Sequence, residues 1–114
     1  MNLFHGAHTS FALHAGQCFT DDDKSAEAYA QSGVVAEVEI SFTGLNVQHV
    51  GGYDRDEDDA PADRESDRAA LEAAGVDVLV FDDEDEMGRA HTTWRLISNR
   101  AVGAVQVISV NPVD

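Results

Sequence analysis

The residues of this chain whose types could do chemistry gather near its N-terminus. In the stretch "GQCFTDDDKSAEAYA", Tyr29 is the single aromatic residue of a short helix that follows an acidic cap and Phe19. Its ring either packs as an ordinary core group or holds something flat against the turn. Cys18 is the only cysteine, so the chain forms no intrachain disulfide. With no basic neighbour in sequence to stabilise a thiolate, it reads as a small buried hydrophobe before a nucleophile. His5, His8 and His14 suggest zinc on paper, but their spacing fits no standard ligand pattern and no cysteine pair completes it. Asp54, Asp56, Asp58 and Glu65 occupy positions one, three, five and twelve of a calcium loop. Asp59 stands where that loop needs glycine, and Pro61 interrupts it. Both acidic runs, around 54–67 and 82–86, read as solvated loops.

Length and charge bound the possibilities. The chain has 114 residues, 43% of them hydrophobic, which suits one compact domain spanning 1–114. A formal charge of −15 argues against direct binding to nucleic-acid backbones and to anionic membranes, both of which call for basic patches. It leaves open a basic protein partner, a neutral small molecule or a high-salt habitat. No basic segment precedes an apolar run at the N-terminus, and no stretch approaches the ~18 apolar residues of a membrane span. The expectation is a soluble cytoplasmic protein.

These residues need elements to position them. "NLFH" and "QCFT" read as short strands on either side of a small-residue loop. Thr20 or Asp21 suits the N-cap of a helix whose Ala26, Tyr29 and Ala30 share one face, with Gly33 as its stop. In "VVAEVEISF", Val38, Ile40 and Phe42 alternate with Glu37, Glu39 and Ser41, as in a half-buried strand. A second helix is expected over "ADRESDRAALEAAG", capped by Asp63 and ended by Gly75. "VDVLVF" has the composition of a buried strand. "DDEDEMG" reads as an acidic turn, and "TTWRLIS" and "GAVQVISV" as the closing strands. The fold class is α+β, with two small, mostly antiparallel sheets and two or three short helices.

Taken in order, "LFHGA", "GQCFTDDDKSAEAYA", the alternating strand, the helix leading into "EAAGVDVLVF", and the pair "WRLIS" and "VQVISV" resemble the ADP-ribosyltransferase fold of the diphtheria-toxin and poly(ADP-ribose) polymerase type, in its small phage and bacterial form. The resemblance covers nearly the whole chain and rests on the order of short motifs. It implies NAD as substrate. His5 would hydrogen-bond a ribose hydroxyl, the Gly6 backbone would grip the nicotinamide carboxamide, Tyr29 would stack on the nicotinamide ring, and Phe19 would anchor the strand beneath.

The sequence departs from that pattern at three places. Ala7 follows Gly6 where the family has threonine. Cys18 stands where a second tyrosine often flanks the nicotinamide. At the family's catalytic glutamate the matching position falls on Thr93, with Thr92 as the alternative, and no acid lies between Glu86 and Asp114. A hydroxyl can bond the ribose but cannot offset positive charge; members of this fold that lack the glutamate borrow an acid from the substrate or are inactive, and here Asp85 or Glu86 of the preceding turn are candidates to supply one. The implied activity is mono-ADP-ribosylation of a host macromolecule, as by a phage-encoded effector directed against bacterial defence. The alternative is a non-catalytic acidic binding protein on the same scaffold, occluding a basic, nucleic-acid-binding site of a partner.

Overall fold

The computed structural model describes residues 1–51, 60–84 and 88–113. Among the described residues seven strands form one mixed sheet, with three short helices, so the domain is α+β. The strands are β1 (Asn2–Ala7), β2 (Cys18–Thr20), β3 (Val34–Ile40), β4 (Val47–His49), β5 (Val78–Glu84), β6 (Ala90–Leu96) and β7 (Val105–Pro112). Their order across the sheet is β4-β5-β6-β2-β1-β3-β7. Only β4 and β5 run parallel; every other neighbour is antiparallel. Where the sequence reading expects two sheets, the described strands form one hydrogen-bonded sheet, joined across its middle between β1 and β2. The join is narrow. β1 pairs with β3 at every position from Asn2 to Ala7, but with β2 only where Phe4 opposes Thr20.

The main core lies on one face. Leu3, Phe19, Val38, Ile40, Val78, Val80, Trp94 and Leu96 are buried together there, as alternation along each strand requires. On the other face a smaller cluster of Val76, Leu79, Phe81 and Ile97 receives Leu71 of α2 (Glu65–Ala73).

Helix α1 (Asp23–Ala30) begins later than expected. Its N-cap is Asp22, whose carboxylate accepts from the Lys24 amide at 3.0 Å, while Thr20 Oγ1 accepts from the Asp22 amide one turn earlier. It ends at Gln31, which takes φ 56°, rather than at Gly33. Gly33 serves another purpose: a Cβ there would lie 2.0 Å from the Ala7 carbonyl oxygen. α2 likewise starts behind Arg64, with no side-chain cap from Asp63, and Gly75 at φ 87° ends it. A third helix, α3 (Asn99–Gly103), is capped by Ser98. The largest revision is at β5. Asp82, Asp83 and Glu84 were read as the start of an acidic turn, yet they continue the strand and pair with Ala90–Thr92.

Candidate active site

The narrow join between β1 and β2 opens into a cavity of about 300 Å³, the lower end of the ~300–1,000 Å³ typical of ligand sites. Strand register explains its lining. Phe4, Thr20, Thr93 and Phe81 oppose one another across β1, β2, β6 and β5, so their side chains share a face. Two residues along on either side, Gly6, Cys18, Arg95, His91 and Asp83 share it too. α1 covers the β1 end of this face, bringing Tyr29 to the cavity. The approach is close: a Cβ on Gly6 would sit 2.1 Å from the Ala26 carbonyl oxygen. Gly6 is therefore required for helix packing whatever else its backbone does.

Of the residues singled out in sequence, His5, Gly6, Cys18, Phe19, Tyr29 and Thr93 all line this one cavity. Asp85 and Glu86 lie outside the described residues, as do Asp54, Asp56 and Asp58 of the calcium-loop reading. Among the described residues no three of His, Cys, Asp or Glu form a group that could hold a metal.

The His5 ring packs beside Phe11 and Phe19, with centroids 5.6 Å from each. Its Nδ1 lies 2.6 Å from the Cys18 carbonyl oxygen. A carbonyl only accepts, so Nδ1 carries the hydrogen and Nε2 is the acceptor nitrogen. Burial lowers the His5 pKa, outweighing the Cys18 carbonyl, so the ring is neutral at neutral pH. Phe19 is fully buried in the main core. Tyr29 is 44% exposed and so is not a core tyrosine. Burial raises the pKa of Cys18 against the pull of Arg95, so the group remains a thiol. Arg95 Nε lies 2.9 Å from its sulfur.

Asp83, His91, Arg95 and Arg68, which sequence reasoning missed, complete the site. Thr93 is buried, and its hydroxyl donates to Asp83 Oδ2 at 3.3 Å. His91 Nδ1 lies 3.0 Å from Thr20 Oγ1 and 3.4 Å from Thr93 Oγ1, while its buried Nε2 has no hydrogen-bond partner among the described residues. The buried Arg95 donates to the Pro61 carbonyl at 2.9 Å, and Arg68 donates to the Ala62 and Asp63 carbonyls at 3.0 and 2.7 Å. Two arginines thus pin the 60–63 segment as the cavity rim. An acidic groove adjoins the cavity, lined by Asp21, Asp22, Asp23 and Asp82 and sharing Asp83 and His91 with it. The signal for Asp83 was alternation: it stands two residues after Phe81, on the same face of a strand continued through the acids.

The chain has no significant match among protein-family models, curated proteins or solved structures. Among the described residues no helix is long and apolar enough to cross a membrane.

Proposed function

We propose that this domain binds NAD with the nicotinamide-ribose half in the cavity beside β1 and β2, and transfers ADP-ribose to a nucleophile on a macromolecular target. The observation that carries this reading is the convergence of residues distant in sequence, His5, Gly6, Cys18, Tyr29 and Thr93, on one open cavity. Their chemistry suits the ligand. Neutral His5 offers Nε2 as an acceptor for a ribose hydroxyl, and Tyr29 offers an aromatic face to a flat cationic ring. The volume fits half of the dinucleotide, with the adenosine half extending outward. In the reaction the C1′–N1 bond breaks and its electron pair leaves with nicotinamide. C1′ bonds the acceptor heteroatom, which loses its proton.

A second reading is favoured by the acidic groove beside the cavity, which suits a basic surface on a partner and would make the domain a non-catalytic binder. One experiment separates the two: incubation of a bacterial lysate with labelled NAD and the wild-type protein, His5→Ala or Tyr29→Ala. The transferase reading expects a discrete labelled band with wild type that both substitutions abolish. No label with wild type favours the acidic binder.

A further inference from the structure

Breaking the C1′–N1 bond of NAD places positive charge on C1′ and the ribose ring oxygen. Cleavage of glycosidic bonds through such a state relies on carboxylates held beside the sugar. A preorganised charge there acts more strongly than the same charge in water. Thr93 supplies only a hydroxyl, but the β5–β6 pairing brings a carboxylate to it. Phe81 opposes Thr93 and Asp83 opposes His91, so Asp83 projects from the same face as Thr93, two rungs along.

We propose that Asp83 is the catalytic carboxylate of this site and that Thr93 positions it, an inference that rests on the reading of the cavity as an NAD site. The carboxylate is held from both sides. Oδ1 accepts from the Glu84 amide at 2.8 Å, and Oδ2 accepts from the Thr93 hydroxyl at 3.3 Å. It is half-buried on the cavity wall, where solvent screens it less than it screens the exposed Asp82. Asp82, the preceding residue, points to the other face by alternation. Because the hydrogen of Thr93 is committed to Asp83, Thr93 Oγ1 turns a lone pair toward His91 Nδ1, and the three side chains form an ordered row.

In the proposed step Asp83 lies against C1′ as nicotinamide departs with the bonding pair. The acceptor heteroatom bonds C1′, and its proton passes to the Asp83 carboxylate and on to solvent. NAD and acceptor thus give the ADP-ribosylated acceptor, nicotinamide and one proton. The acid comes from β5 itself, two residues before the turn positions to which the sequence pointed.

The test measures NAD affinity by calorimetry and nicotinamide release in single turnover, with full-length protein throughout. Asp83→Asn is expected to bind NAD within about threefold of wild type and to release nicotinamide ~10²–10³-fold more slowly. Asp83→Ser is a second variant expected to show the same loss, should the first fold poorly. Glu39→Gln and Glu72→Gln, exposed acids outside the cavity and its groove, are expected to keep wild-type release. Thr93→Val should slow release, and Thr93→Ser should restore it, which a purely steric role for Thr93 would not produce. Undiminished release in Asp83→Asn with NAD still bound overturns Asp83 while leaving the NAD site standing. Wild type that binds NAD but releases no nicotinamide overturns it equally. Wild type that does not bind NAD overturns the site reading and this inference together.

Discussion

Two aspartates bracket β5, and their surroundings differ in kind. Asp77, just before the strand, is 5% exposed. Its Oδ2 accepts from the Asn46 amide at 2.9 Å and its Oδ1 from the Ser98 hydroxyl at 2.6 Å, with the Arg100 guanidinium 4.0 Å away. One carboxylate thereby ties the entry to β4 to the cap of α3. Asp83, near the other end, faces a cavity and takes its hydroxyl partner from the neighbouring strand. Protein donors engage both oxygens of each, so hydrogen bonding alone does not separate them. The difference lies in place: Asp77 is buried between elements, whereas the half-buried Asp83 lines the cavity. A buried acid that knits elements holds the fold; an acid on a cavity wall adjoins the space a ligand would fill.

The sharpest break of this comparison is Asp77→Ala. It strands the Asn46 amide and the Ser98 hydroxyl without their acceptor, and the thermal midpoint should fall by several degrees in a melting experiment. Asp83→Asn should change stability by no more than about 0.5 kcal/mol; a large drop there would erase the distinction. The same contrast appears with pH. The Asn46 amide and then the Ser98 hydroxyl hold the Asp77 pKa below its ordinary value, with burial opposing and Arg100 adding to them. Its folded-state pKa is therefore below that of the unfolded chain, ~3.9. Its contribution is complete above that pH and disappears as pH falls through the folded value. Urea midpoints at pH 7 and pH 3 should differ more in wild type than in Asp77→Asn.

Smaller effects belong to the cavity end. Tyr29→Ala should leave the melting midpoint nearly unchanged, because the ring is 44% exposed. It should weaken NAD binding by ~0.5–2 kcal/mol, the range of ring–cation stacking, as read by calorimetry. Smallest of all is the response of Cys18 to iodoacetamide at neutral pH. The protonated thiol, capped by Arg95, should stay unmodified in the native protein and react in urea.

What was legible in the sequence follows the range of the forces involved. Alternation at Val38 and Ile40 and the apolar run of β5 are local signals, and the strands lie where they point. His5, Gly6 and Tyr29, named from motif order, all border the one cavity, although the His5 ring packs beside Phe11 and Phe19. Caps were less so: Thr20 and Asp63 have suitable side chains, but Asp22 and Arg64 occupy the cap positions because chain direction is set by packing on the sheet. Asp83 was missed because an acidic run reads as a turn. What keeps Asp82, Asp83 and Glu84 in a strand is pairing with β6, a contact no local window contains. The parallel seat of β4 beside β5 is long-range in the same way. So is the pinning of the 60–63 rim by Arg95, which comes from the far end of the chain.

The single rung between β1 and β2 has a mechanical consequence. Where β1 meets β3 the ladder is continuous, and separating it means undoing every pair from Asn2 to Ala7. Among the described residues, β1 and β2 are tied by the Phe4–Thr20 pair and the His5–Cys18 hydrogen bond, each worth a net ~0.5–1.5 kcal/mol, and by the packing of Leu3 and Phe19 in one core. Compliance is therefore concentrated along one line of the sheet, and that line runs through the cavity. Any guest is met at the most sparsely bonded line of the sheet, with Leu3 and Phe19 packed beneath it.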